Sequence, residues 1–256
     1  MRDALIGHTG FVGSTLARAR AFAASFNSRS IGEIDGGSFD TVVCAGVSAV
    51  KWLANKEPEA DLRAIQGLMA HLDTISAGHF VLVSTIDVYR EPVGVTEADE
   101  PPTEGLHPYG LHRLQLERWV AGRFPRHTIV RLPGLFGEGL RKNLIFDMLH
   151  ANQTDRISPS GVLQWYPMRR FPADLARIQA AAPTLVNIAV EPLRTEAIRA
   201  RFFPEVAIGG PELPAPRYDM HTNQAGLLGG EGAYHLRGAA VMDELGRFID
   251  AERASA

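Results

Sequence analysis

Short apolar runs alternate with helix-period segments through the first half of the chain. Residues 4–6, 41–45 (TVVCA), 79–85 (HFVLVST) and 127–132 (HTIVRL) are such runs. They are rich in β-branched residues and lack strict polar alternation, as strands buried on both faces do. Between them, residues 11–25 are alanine-rich and proline-free and predict a helix, followed by a short strand at 23–27 and a turn at 31–37. Residues 59–75 bring Leu62, Ile65, Met69 and Leu72 to one helical face, and Tyr109 opens a further helix running to 122. The intervening stretch 91–108 is acidic and proline-containing, the pattern of a loop passing over a site. Farther on the periodicity weakens. Helices are expected at 143–150 and 172–181, a strand at 185–189, mainly irregular structure over the Gly- and Pro-rich stretch 204–232, and a closing helix over 239–249. Strands alternating with helices predict an α/β fold: a doubly wound parallel sheet with a small C-terminal lobe.

Composition narrows the classes. With 45% apolar and 21% charged residues in 256, the chain can bury a full core. Its 26 basic and 29 acidic residues leave a net charge of −3, which argues against a nucleic-acid footprint. The single cysteine, Cys44, excludes disulfide scaffolds and cysteine zinc sites, and no metal site is expected. The first apolar segment is short for a signal peptide and no stretch reaches the length of a membrane span, so a soluble cytoplasmic protein is expected.

The sharpest motif is IGHTGFVG at residues 6–13, which follows a strand and opens a helix. Gly7 would make the tight turn, Gly10 would let backbone approach a pyrophosphate, and Gly13 would let helix pack on strand, with the anion at the helix N-terminus. Gly7, Thr9, Gly10, Phe11, Val12 and Gly13 are therefore candidates for a dinucleotide cradle in a Rossmann-like sheet. Beyond the second strand no carboxylate stands ready for ribose hydroxyls. Arg29 could fork onto a 2′-phosphate, which favours NADP over NAD. An ordinary surface arginine is the competing reading, since only three of the 26 basic residues are lysines.

Tyr109 and Arg113 stand at i and i+4 and share a helix face, while the strand before them ends in Ser84 and Thr85. A cation so placed would draw a phenol toward neutrality, making Tyr109 a proton donor and acceptor, with a strand-end hydroxyl orienting the reacting oxygen.

The three glycines, STIDVY at 84–89, PYGLHR at 108–113 and VRLPGLFG at 130–137, in this order and spacing, resemble the extended short-chain dehydrogenases. This is the NAD(P)-dependent epimerase/dehydratase family, most of whose members act on nucleotide sugars, and the resemblance covers residues 1 to about 190. It implies hydride transfer at a hydroxyl or ketone carbon of a nucleotide sugar or similar phosphorylated sugar. Thr85, Tyr109 and Arg113 would be the catalytic residues, with Arg113 in place of the family's lysine and holding the nicotinamide ribose. Ala45, Gly46 and Val47 would lie under the adenosine, and Pro133 and Leu135 would form the wall beside nicotinamide.

Asp87, His107, Asn143, Trp165 and Arg170 are the substrate-binding candidates; a helix N-cap is an equal reading of Asn143, and His8 and His112 read as structural. The expected division is a dinucleotide-binding domain over 1–134 with 172–190 returning to it, a reduced substrate lobe over 135–171 and 191–235, and a C-terminal helix over 236–256. The resemblance also implies a homodimer through the helices at 59–75 and 109–122, although their apolar stripe would equally serve a monomer's interior. The rival reading is a catalytically silent NAD(P)-binding regulatory protein, favoured if the arginine marks a lysine no longer needed.

Overall fold

The computed structural model describes residues 2–210 and 212–255; Met1, Pro211 and Ala256, which the expected domain ranges include, lie outside the described residues. The chain divides into two compact units. The first comprises Met1–Arg90, Asp99–Leu132 and Phe171–Val186; the second comprises Glu91–Ala98, Pro133–Arg170 and Asn187–Ala256. The segment at 91–98 and the C-terminal helix thus both belong with the second unit.

In chain order the first unit carries β1 (Asp3–Ile6), α1 (Phe11–Ala19), β2 (Ala24–Phe26), β3 (Ser38–Cys44), α2 (Lys51–Lys56), α3 (Pro58–Asp73), β4 (Ser76–Thr85), α4 (Pro108–Arg123) and β5 (His127–Leu132). The second unit adds β6 (Gly134–Phe136), α5 (Leu144–Leu149), β7 (Val162–Leu163) and β8 (Trp165–Pro167). The chain continues through α6 (Phe171–Ala181) of the first unit, β9 (Leu185–Asn187), and then β10 (Leu193–Arg194), α7 (Thr195–Phe202) and α8 (Gly238–Ser255).

Six strands form one sheet in the order β2-β1-β3-β4-β5-β9. Pairing is parallel from β2 to β5, with Ile6 opposite both Phe26 and Cys44 and Thr85 opposite Leu132. The apolar runs are buried on both faces as their pattern requires: Ala4, Leu5, Val42, Val43, Phe80 and Val81 are all fully inaccessible. Burial pushes the Cys44 thiol up to about 11, leaving it a core side chain. The chain winds outward from β1 to β2 and then returns to β3 on β1's other side. The strand order therefore reverses between β1 and β3, the place where an open α/β sheet leaves a crevice at its carboxyl edge.

Local details differ from the sequence pattern. The first helix stops at Ala19, not at 25, because Arg20 turns extended (φ −155°, ψ 156°) so that Ala24 can pair with Ala4; sheet pairing overrides alanine's helix propensity. A short helix, α2, occupies a stretch with no clear apolar period. Of the α3 stripe, Ile65 and Leu72 are buried in the core and Met69 packs against it, while Leu62 is half-buried.

In the second unit, β6 pairs with β8 and β7 with β10, neither pair evident from apolar runs, and α7 was likewise unexpected. The segment at 91–98 is anchored by Glu97, whose carboxylate accepts from the Thr222 hydroxyl (2.6 Å) and from the backbone N–H groups of Asn187 and Asn223 (both 2.8 Å).

Candidate active site

The glycine loop at the end of β1 separates its three glycines by what surrounds them. Gly7 has φ +85°, and a Cβ there would lie 2.3 Å from the Ala45 carbonyl oxygen; a Cβ on Gly13 would lie 2.0 Å from the Gly7 carbonyl oxygen. The protein's own packing demands both. At Gly10 the nearest atom to an added Cβ is 3.4 Å away, so nothing in the chain requires a glycine there. Gly10 also precedes α1, whose start has no side-chain cap and no acidic residue in its first turn, leaving its N–H groups available to an anion.

The same edge gathers the other cofactor candidates. Gly7 N–H donates to the Phe26 carbonyl (2.7 Å) and Ala45 N–H to the Ile6 carbonyl (2.9 Å), which ties together the ends of β1, β2 and β3. A side chain at Gly46 would meet Ile6 Cγ2 at 2.8 Å, and Val47 packs on the core. Thr9 and Gly10 are exposed and Phe11 and Val12 half-buried. Arg29 stands exposed beyond β2, its backbone N–H held by Asn27 Oδ1 (2.9 Å). His8 Nδ1 is buried with no hydrogen-bond partner among the described residues. These features fit a dinucleotide: an uncapped helix start, a glycine without internal cause, and an exposed arginine at the end of the second strand.

The phenol is placed by α4. His107 caps that helix by accepting the Gly110 N–H at Nδ1 (3.0 Å), Pro108 occupies its first turn, and Asn55 Oδ1 accepts the Tyr109 N–H (3.0 Å). Tyr109 is buried, and Thr85 lies within electrostatic reach of its hydroxyl. Burial pushes the phenol above its ordinary value; Arg113 pulls it down, Asp87 pushes it up, and Thr85 and Lys51 pull it down. Burial prevails, so the expected drift toward phenolate is corrected to a phenol held in its protonated form.

The second correction concerns Arg113. Its guanidinium is buried and bidentate on Asp61 of α3 (2.6 and 2.8 Å). It also donates to the carbonyls of Ser48 (2.6 Å) and Tyr109 (3.1 Å), with its Cζ 3.9 Å from the Tyr109 ring centroid. These four bonds engage both terminal nitrogens fully, leaving only Nε–H uncommitted among the five donors. Arg113 therefore braces α4 against α3 and stacks on the tyrosine; it has no terminal donor to offer a ribose. Burial would raise Asp61, but Arg113 and His112 (Nδ1 at 2.7 Å) outweigh it and hold this carboxyl below the usual carboxylate range. His112 is structural, as expected.

Along β4 successive side chains face opposite ways. Thr85 faces the phenol, whereas the Ser84 hydroxyl donates to Glu117, whose carboxylate pairs with Arg131 (2.6 Å); Arg131 in turn donates to the Tyr89 hydroxyl (2.7 Å). All four are buried. Ser84 and Tyr89 thus belong to a structural network behind the site.

Asp87 and His107 are brought together with Tyr109, and a residue that sequence reasoning missed joins them. Lys51 Nζ lies 2.6 Å from Asp87 Oδ1, and His107 Nε2 lies 4.0 Å from the same oxygen. Burial, with Lys51 adding to it, lowers the His107 pKa against the opposing pull of Asp87. Asn55, Asp61 and Ser48 were missed as well. The available signal was position: Lys51 follows a strand that ends beside the reversal of strand order, where α/β sheets carry their ligands.

The candidates in the second unit are committed within it. Asn143, at φ 112°, caps α5 by accepting the N–H groups of Ile145 and Phe146 (3.0 and 3.2 Å) and donates to the Leu135 carbonyl (2.8 Å). Of its two readings, the cap is the one observed. Trp165 is buried, its ring flanking Gly134, and so is a core residue and not a stacking surface. Arg169 is bidentate on Glu244, and Arg170 lies 3.4 Å from that carboxylate. Pro133 and Leu135 lie at and beside the start of β6, which pairs with β8.

No helix of the described residues is long and apolar enough to cross a membrane. No protein-family model and no curated protein matches the sequence. Solved structures do. A dTDP-4-dehydrorhamnose reductase from Bacillus anthracis in complex with NADP superimposes with TM-score 0.75 at 14% identity, covering 98% of this chain and 99% of that one. MoeE5 in complex with UDP-glucuronic acid and NAD gives 0.77 at 17% identity over 100% of both chains. A UDP-glucose 4-epimerase from Thermotoga maritima with UDP-glucose gives 0.73 at 13%, covering 100% and 99%. At such identities the common property is architecture: this chain has the Rossmann-like α/β fold of these proteins along essentially their whole length.

Proposed function

We propose that this chain is an NAD(P)-dependent enzyme of the extended short-chain dehydrogenase type, transferring hydride at a hydroxyl or ketone carbon of a nucleotide sugar. The observation that carries the reading is the placing of Thr85 at the carboxyl end of β4 beside buried Tyr109 at the start of α4, on the same unit as a glycine loop with an uncapped helix start. The structural neighbours, which include a reductase and an epimerase holding NADP or a nucleotide sugar, support the same class.

Gly7, Gly10 and Gly13 hold a pyrophosphate against the first turn of α1, while Ala45, Gly46 and Val47 line the adenosine side. Arg29 meets a 2′-phosphate, which makes NADP the favoured form. The bound nicotinamide would supply or accept the hydride. Thr85 orients the reacting oxygen, and Tyr109, kept protonated by burial, gives that oxygen its proton in the reductive direction; in the oxidative direction the phenolate form of Tyr109 takes the proton up. Arg113 acts through Tyr109 by fixing its ring.

The full commitment of Arg113 to Asp61 favours a second reading, a dinucleotide-binding protein without turnover. Incubation with NAD(P) and a panel of nucleotide sugars separates the two. The enzyme reading expects product, with or without net change in nicotinamide absorbance, and a fall of about a hundred- to ten-thousand-fold in Tyr109→Phe with cofactor affinity retained. Tight cofactor binding with no product from any sugar, and no effect of Tyr109→Phe, refutes it.

A further inference from the structure

We infer that Lys51, anchored by Asp87, is a positioning cation that helps Arg113 balance charge at Tyr109 by offsetting the carboxylate of Asp87. The inference rests on the proposed function for its meaning but not for its test.

Arg113 is the nearer cation, yet its charge is met oxygen by oxygen by a buried carboxylate. Arg113 still draws the phenol down, and Asp87 stands against it. When Tyr109 releases its proton, a new negative charge forms on a buried oxygen, and the nearby carboxylate of Asp87 opposes it. Lys51 sits on that carboxylate at 2.6 Å from the first turn of α2. It arrives from a different element and offsets part of the repulsion that Asp87 exerts. Asp87 is held in turn: its backbone N–H donates to Thr85 Oγ1 (3.1 Å), so the carboxylate and the Thr85 hydroxyl share one turn of chain.

His107 completes the set without adding charge. Its Nδ1 accepts the Gly110 N–H, which leaves the ring proton of the neutral form on Nε2, facing Asp87. The groups beside Tyr109 and Asp87 thus include Lys51, Arg113 and a neutral His107. Lys51 is one of only three lysines in an arginine-rich chain. Its side chain is 37% exposed and Asp87's 16%, so the ammonium keeps contact with water while the carboxylate is largely withdrawn from it.

The test reads the phenol directly and needs neither cofactor nor substrate. The protein is prepared with fluorotyrosine, whose ring fluorine makes the phenol more acidic, and the Tyr109 signal is assigned by its loss in Tyr109→Phe. Its fluorine shift is then followed against pH. Lys51→Met should raise the Tyr109 midpoint by about one pH unit or more. Asp87→Asn should lower it, the double variant should return toward the parent, and Lys51→Arg should restore it. A midpoint unmoved by Lys51→Met overturns the inference even if the enzyme turns over. A midpoint that moves in a protein with no turnover on any sugar leaves the inference standing and removes the proposed function.

Discussion

Replacing Arg113 by lysine restores the residue that the sequence resemblance leads one to expect, and the structure says that it should harm the protein. Arg113 makes two charge-assisted bonds to Asp61, one to the Ser48 carbonyl and one to the Tyr109 carbonyl, and it stacks on the Tyr109 ring. Side-chain exposure is 4% for Arg113 and 9% for Asp61, so solvent screens little of this. A lysine brings one nitrogen to the carboxylate. It keeps a single charged bond and loses the second, worth about 1.5 to 3 kcal/mol, together with the planar stack. The net cost should be about 2 to 3 kcal/mol, which for a chain of this size lowers the melting temperature by about 5 to 10 °C.

Arg113→Met goes further by stranding Asp61 with only His112 beside it, and should cost about 3 to 5 kcal/mol. The sign with pH follows from Asp61. Its carboxyl is lowered in the native protein, so the pair's contribution is complete above the ordinary aspartate range and is lost as pH falls through the lowered value. In Arg113→Met burial instead raises Asp61, so the deficit against the parent should be largest near neutrality and shrink in acid. Thermal melts of the three proteins at neutral and acidic pH measure this. An Arg113→Lys protein melting within about a degree of the parent, or an Arg113→Met deficit independent of pH, would refute the brace.

Gly10→Ala should fold normally, because its Cβ meets nothing closer than 3.4 Å, yet lose about tenfold or more in dinucleotide affinity by calorimetric titration. Gly13→Ala, with a Cβ 2.0 Å from a carbonyl oxygen, should cost about 1 to 3 kcal/mol or more of stability in a urea melt. Arg131→Met should destabilise by about 3 to 5 kcal/mol, since it strands buried Glu117, whereas an exposed arginine such as Arg63, paired only at 3.6 Å with Glu59, should be replaceable at about 0.5 kcal/mol or less. Arg29→Ala should weaken NADP about tenfold and leave NAD binding unchanged; equal losses for both would make Arg29 an ordinary surface residue.

Local physics made the fold legible. Buried parallel strands must be apolar on both faces, so TVVC and FVLVS announced β3 and β4, and a glycine triplet between strand and helix announced the cradle. The positions of Tyr109 and Thr85 in their elements were readable for the same reason: each sits at a fixed offset from an element end. The short ladders of the second unit were not, because two- and three-residue strands carry no period.

Pairing was decided only in three dimensions. The i, i+4 spacing correctly put Arg113 against Tyr109, but a helix face does not say which carboxylate will be on the other side. Asp61 stands 52 residues away in sequence, and Lys51 meets Asp87 across 36. Charge interactions depend on separation in space, and the return of the chain from β3 through α2 and α3 sets that separation. One consequence is that a cation expected at the cofactor is locked to a helix, while a lysine with no motif of its own stands beside the phenol's neighbouring carboxylate.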